Sequence, residues 1–330
     1  MSRRSMLRSG AALASASLYG IGSVAATASD RVTVLTQNLY LGSALAPVLQ
    51  AETESEFEET VDRIYQNVLE SRFEQRAEGL AGEIADVEPD VIGLQEAARF
   101  VEQGDESTTR DYLETLLEKL EGEGLSYTEV ASVDTFDAEV PVSSGSAPGR
   151  VRFLNSDVIL AREGVKTSAD DASTYYTGGR EFGIGRGYCS ATVEDTFTFV
   201  NTHLSTRRTP LLQLAQASEL LIRFRDPPTV LVGDFNSGPS TGKTRAYDIL
   251  TRRYSDAYAA VNPDEEGETC CQHPTLTNET LALGRRIDHV FTHGDIDARK
   301  AERVGHDPDA RVGERWPSDH AGVMAELELP

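Results

Sequence analysis

Lysine is nearly missing from this chain: four stand among 330 residues, at positions 119, 166, 243 and 300. Asp and Glu number 54 against 31 Lys plus Arg, which sets the formal net charge at −23. Such a surface repels a polyanion at low salt, which argues against nucleic acid as a substrate. At about 1 M salt the screening length falls to about 3 Å and the repulsion largely vanishes. Acidic, Lys-poor composition in a chain that reads as folded is also that of proteins adapted to molar salt. Cysteine is scarce too. Cys189, Cys270 and Cys271 are too few for a disulfide framework. An exported chain could form one bridge, Cys189 to one of the neighbouring pair, with one thiol left over. Cys270, Cys271 and His273 match no standard zinc spacing. There is no basic stripe with interleaved aromatics and no amphipathic membrane-docking stretch.

The first thirty residues carry the one signal that stands apart from the fold. Ser2-Arg3-Arg4-Ser5-Met6-Leu7-Arg8 is a twin-arginine export pattern, followed by an uncharged Ala/Ser/Gly-rich run and the small-residue site Ala26-Thr27-Ala28. Residues 1–28 are therefore expected to be a cleaved signal, with an uncleaved N-terminal anchor as the alternative. Removing 28 from 330 leaves 302 residues, enough for one large α/β domain over 31–330. The mature chain is expected to be extracellular and monomeric.

Short apolar runs at Val32–Asn38, Asp90–Glu96, Tyr127–Val133, Val151–Leu160, Tyr188–Val193, Phe197–Leu204, Thr229–Asp234, Ile287–Thr292 and Val323–Leu327 read as strands. Phe73, Ala77, Leu80 and Ile84 share one helical face. Further helices are expected around Tyr112–Leu120, Leu211–Phe224 and Thr244–Arg253. Segments Val140–Gly149, Thr167–Gly187 and Asn262–Leu283 read as long loops from their Gly, Ser, Pro, Thr and Asp content. No internal repeat appears, and the even spread of strands and helices favours layered sheets covered by helices.

Strand after strand ends on a carboxylate, amide or imidazole: Asn38, Glu96, His203, Asp234 with Asn236, Asp288, and finally Asp319-His320. Such residues converge when the strand ends lie along one rim of a sheet. The stretches Thr36-Gln-Asn-Leu, Leu94-Gln-Glu, Asn201-Thr-His-Leu-Ser, Val232-Gly-Asp-Phe-Asn-Ser, Arg286-Ile-Asp-His-Val-Phe and Ser318-Asp-His resemble, in order, the endonuclease/exonuclease/phosphatase superfamily. That resemblance covers the chain from about Arg31 onward. It implies a four-layer αββα sandwich of two packed mixed sheets flanked by helices, and a divalent-metal-dependent phosphoesterase.

The chemistry gives each residue type a reason. Phosphodiester hydrolysis spreads negative charge over the phosphoryl oxygens, and a hard cation, Mg²⁺ or Mn²⁺, needs only one or two carboxylates because it keeps several waters. Glu96 is the first candidate ligand, and Asp319 resembles the additional metal-side carboxylate. Asn38 would support the metal or a phosphate oxygen; as a bland alternative it caps a turn. Asp234 and Asn236, two apart in an extended segment, would point the same way. By resemblance Asp234 orients or deprotonates the attacking water and Asn236 donates to the phosphoryl group; Asp234 as a second metal ligand stays open, as does an Asx-turn. Asp288 and His320 resemble a carboxylate–imidazole pair, and His203 the histidine that bonds phosphate opposite it. Arg186, in Gly183-Ile-Gly-Arg-Gly187, could fork onto phosphate. Asn155 could reach the site, Asp256 reads as structural, and His289 alternates away from Asp288.

The expected substrate is a phosphoester: nucleic acid first, then a lipid headgroup as in sphingomyelinases, then a small organic phosphate. A fold that had lost catalysis and become a binding module would lack Glu96, Asp234 or His320, and all three are present.

Overall fold

The computed structural model describes residues 31–103, 108–143, 149–177, 185–226, 228–239 and 246–330. The export signal, Phe182 and Gly183-Ile184 of the Gly-rich segment, and the start of the helix expected from Thr244 lie outside them.

Thirteen strands and six α-helices are described: β1 (Arg31–Asn38), α1 (Glu54–Glu70), α2 (Phe73–Val87), β2 (Val91–Gln103), β3 (Thr109–Asp111), α3 (Tyr112–Gly122), β4 (Tyr127–Val142), β5 (Gly149–Arg162), β6 (Thr167–Thr174), β7 (Gly187–Val193), β8 (Phe197–His203), α4 (Pro210–Arg223), β9 (Thr229–Asp234), α5 (Ala246–Leu250), β10 (Ser255–Asp256), α6 (Ala257–Val261), β11 (Asp288–His293), β12 (Asp297–Val304) and β13 (Gly322–Glu328). They form two mixed sheets. The first runs β12-β13-β1-β2-β5-β4, with β3 also on β2; the second runs β10-β11-β9-β8-β7-β6. Each sheet has one parallel pair near its middle, β1 with β2 and β8 with β9.

Side-chain alternation makes four layers out of this. On β9, Val230 and Val232 join the core between the sheets, while Leu231 joins the cluster under α4 and α5. On β1, Val32 and Val34 face the second sheet and Leu35 faces the helices α1–α3. Strands buried on both faces read as continuous apolar runs, which is why β9 was so plain in the sequence. Where β2 packs on the second sheet it carries Gly93: a Cβ there would stand 2.5 Å from Val232 Cγ2 and 2.8 Å from Asn201 Oδ1. Only a hydrogen fits.

Two expectations need correction, and one helix was not anticipated. Thr167–Gly187 is not a loop throughout, because residues Thr167–Thr174 form the edge strand β6, paired with β7. Its exposed, polar face hides the strand from any hydrophobic count. The unanticipated helix is α1, in the charged stretch after Glu52, opened by a capping box in which Thr53 and Glu56 satisfy each other's backbone. Cys189 is a free thiol, fully buried between the sheets, and the bridge joins Cys270 to Cys271. Strand β7 holds Cys189 away from that loop.

Candidate active site

The two parallel pairs place the polar strand ends together. In the second sheet His203 is in register with Asp234 on β9, and Asp234 with Asp288 on β11, so three strands deliver three functional groups in one row. In the first sheet Asn38 is in register with Gln95, beside Glu96. The turn before β13 brings Ser318-Asp319-His320 to the same end, held by Ser318 Oγ donating to Asn38 O at 2.7 Å. The two rows face each other across the sandwich.

Glu96 reaches the site through a bulge. Register slips between Leu94 and Ala97 against β5, and Glu96 takes a left-handed φ of 59°. Such a φ is costly for a side chain this size, and functional sites are where it is tolerated. Buried Asn201 braces the bulge: its Nδ2 donates to Leu94 O and Val158 O at 2.8 and 2.9 Å, and its Oδ1 accepts from Gln95 Nε2 at 2.7 Å. Glu96 Oε2 accepts from Leu41 N at 2.7 Å.

Asp234 is the hub. Its Oδ1 accepts from Asn236 N at 2.8 Å; its Oδ2 lies 3.3 Å from Asn38 Nδ2, 3.2 Å from His203 Nε2 and 3.9 Å from His320 Nε2. Burial pushes its carboxyl up, but the His203 and His320 imidazoles outweigh that and hold it well below the usual range. Gly233, at φ 146°, packs so closely on Thr202 that a Cβ would overlap its carbonyl. Asn236 has a left-handed φ of 49°, so the Asp234–Asn236 relation is a turn and not the strand alternation expected. The Asx-turn and the functional placement are one feature: the bond that makes the turn also aims Asn236, whose Nδ2 donates to Leu204 O at 3.1 Å.

His320 Nδ1 donates to Asp288 at 2.8 Å. Burial disfavours the imidazolium, but the charges of Asp288, Asp319 and Asp234 outweigh it and raise the His320 pKa well above its ordinary value. The Asp288 carboxyl is itself raised by burial, against the opposing effect of His320 and of Thr269, whose hydroxyl donates to Oδ2. Burial pushes Asp319 up to about 7; His320 opposes this and the Glu96 carboxylate adds to it. Asp319 Oδ1 is buried without a hydrogen-bond partner. Two carboxylates lining one cleft, one with an orphaned oxygen, are a donor set that fits a hard divalent cation. A second group of metal-capable side chains, Asp234, Asp288 and His320, has ligand atoms within 4.8 Å of one another.

All eight strand-end residues thus converge. His203 is 2% exposed and bonds Asp234. Arg186 and Asn155 line the cleft above the site, a space of about 350 Å³, together with Glu96, Asn236, Asp319 and His320. Arg186 makes no bond to the eight, and Asn155 donates to Thr135 Oγ1 at 2.8 Å. Asp256 is structural as expected: it pairs with Arg286 at 2.6 Å and caps α6. His289 turns away to Ser237 O.

Sequence reasoning missed Thr269, inside a presumed loop and marked by nothing local. It also missed Asp157, fully buried on β5 opposite the Glu96 bulge, with burial raising its carboxyl to about 6 while His203 and Arg186 oppose. A lone acid inside the apolar run Val151–Leu160 was a signal. Arg207, Arg208 and Arg285, which also line the cleft, were passed over.

A sequence model of the Endonuclease/Exonuclease/phosphatase family matches residues 64–320. No curated protein matches the chain. Among solved structures it is similar to an endonuclease/exonuclease/phosphatase from Bacteroides vulgatus, at TM-score 0.54 and 17% identity, covering 91% of this chain and 99% of that one. A second, from Beutenbergia cavernae, gives 0.55 and 22%, covering 91% and 72%. A humanised D. rerio TDP2 gives 0.52 and 15%, covering 91% and 99%. At these identities the likeness is one of fold.

Proposed function

The chain is an enzyme of the Endonuclease/Exonuclease/phosphatase family, whose members are phosphoester hydrolases, and we propose that it cleaves phosphodiesters by divalent-cation-assisted in-line attack of water. One observation carries the reading: the carboxylates of Glu96 and Asp319 line one cleft with His320, which bonds Asp288. Glu96 and Asp319 would hold Mg²⁺ or Mn²⁺, which supplies Lewis acidity at a phosphoryl oxygen when bound.

The chain's own groups do the rest. Asp234, kept ionised by its imidazole neighbours, accepts a hydrogen bond from the attacking water and aligns it with the phosphorus. His203 Nε2 and Asn38 Nδ2 hold that carboxylate in place. Asn236 lines the cleft, its Nδ2 held 3.1 Å from Leu204 O and 3.2 Å from His203 Nε2, and its amide is placed to meet a phosphoryl oxygen there. His320, held as imidazolium by Asp288, opposes charge developing on the oxygens. Nucleic acid is the substrate class this reading favours.

Turnover of bis(4-nitrophenyl) phosphate by Asp234→Asn and His320→Ala tests the assignment. Each should lose at least ~10²-fold in kcat with circular dichroism unchanged, since the lost interaction acts in the transition state. Near-parental turnover by either variant sinks it. Export by the twin-arginine route is proposed on Ser2-Arg3-Arg4 alone; replacing Arg3-Arg4 by Lys-Lys should trap precursor inside the cell, and undiminished secretion removes that claim.

A further inference from the structure

Charge around the cleft runs against the rest of the molecule. In a chain of net charge −23, the cleft lining holds four arginines, Arg186, Arg207, Arg208 and Arg285, against two carboxylates, Glu96 and Asp319. Many arginines elsewhere pair with acids, among them Arg31 with Glu326, Arg152 with Asp137 and Arg286 with Asp256. None of the four cleft arginines forms an ion pair among the described residues. Arg285 Nη2 lies 3.1 Å from the sulfurs of Cys270 and Cys271, and Arg186 Nε is buried with no partner. Four guanidinium groups gathered in one cleft without a carboxylate partner are placed to take an external anion instead.

The Arg207-Arg208 pair is also fixed relative to the chemistry. It sits on the turn between β8 and α4, closed by Thr209 N donating to Thr206 O at 3.0 Å. At the base of that turn Gln213 Nε2 donates to Ser205 O at 2.7 Å and to Phe235 O and Asn236 O at 3.1 Å each. One buried amide therefore ties the arginine turn to the backbone of Asn236. A phosphodiester linkage carries a single negative charge, so one scissile phosphate cannot answer four guanidinium groups.

We propose that Arg207 and Arg208, together with Arg285, form a second anion subsite that binds a phosphate flanking the scissile one, so that the preferred substrate carries at least two phosphates. This rests on the phosphoesterase reading above and narrows its substrate class. The flanking phosphate could belong to a nucleic-acid strand or to a small polyphosphorylated alcohol, and the chemistry of recognition is shared.

Binding without metal separates the two claims. The full chain is titrated in EDTA with fluorescein-labelled tetrathymidylate and, in parallel, with inositol hexakisphosphate, at the lowest salt at which circular dichroism shows it folded. The Arg207→Ala/Arg208→Ala variant should weaken at least one probe tenfold or more, and the probe affected names the source. The control Arg225→Ala/Arg252→Ala, which removes the same charge from exposed positions outside the cleft, should change binding less than twofold. In Mg²⁺, the ratio of kcat/KM for tetrathymidylate to that for bis(4-nitrophenyl) phosphate should fall tenfold in the cleft variant. If that variant binds both probes as the control does, the subsite is overturned. If the parent binds but hydrolyses no phosphoester, the phosphoesterase reading fails while the subsite stands.

Discussion

Asp288 shows how much a single hydroxyl can matter. Its Oδ2 takes both the His320 Nδ1–H and the Thr269 hydroxyl, while Thr269 Oγ1 accepts from Ile287 N at 3.1 Å and Asp288 N at 3.2 Å. Donation from Thr269 favours the ionised carboxylate and so opposes the upward push of burial. Thr269→Val removes that donor, raises the Asp288 pKa further, and makes the carboxylate protonate at a higher pH. The acid limb of the kcat/KM profile should therefore move to higher pH, with the alkaline limb much less affected. An unmoved acid limb would mean that Asp288 does not control activity. Side chains such as Glu96, Asp234, Asn236 and His320 were legible because their local context is distinctive. Thr269 was not, because its importance comes from a contact nineteen residues away with no sequence pattern of its own.

At the scale of elements, α2 does more than cover a sheet. Its Arg76 is fully buried and donates to Leu39 O and Pro317 O at 2.8 Å, Tyr40 O at 2.9 Å and Ser71 O at 3.1 Å. Leu39, Tyr40 and Pro317 flank Asn38 and Ser318-Asp319, so one guanidinium ties the exit of β1 to the turn carrying Asp319. Its plane also lies 4.9 Å from the centroid of Phe73. Arg76→Met keeps volume and leaves four carbonyls without their donor, a loss of about 3 kcal/mol or more. Chemical denaturation should report that loss, with kcat falling as well. A variant as stable as the parent would contradict the clamp. The helix was legible from Phe73, Ala77, Leu80 and Ile84; that an arginine inside it was a tether was not, since helical periodicity treats any charge as solvent-facing. Edge strand β6 escaped for a related reason. Its exposed, polar residues leave no hydrophobic period to read.

For the whole molecule, topology explains what the sequence order could only suggest. Polar strand ends recur along the chain from Asn38 to His320, and two sheets, each with a central parallel pair, turn that recurrence into one site. Charge is the other global feature: an acidic exterior surrounds a cleft whose lining is rich in arginine. The central claim is that Glu96 and Asp319 hold a divalent cation needed for phosphoester hydrolysis. The most direct measurement titrates Mn²⁺ into the parent and into Glu96→Gln by calorimetry, alongside turnover of bis(4-nitrophenyl) phosphate in molar salt with Mn²⁺ or EDTA. The parent should bind Mn²⁺ and turn over only without chelator, and Glu96→Gln should lose both binding and turnover. Turnover that persists in EDTA, or a Glu96→Gln protein that binds and hydrolyses like the parent, would contradict the account.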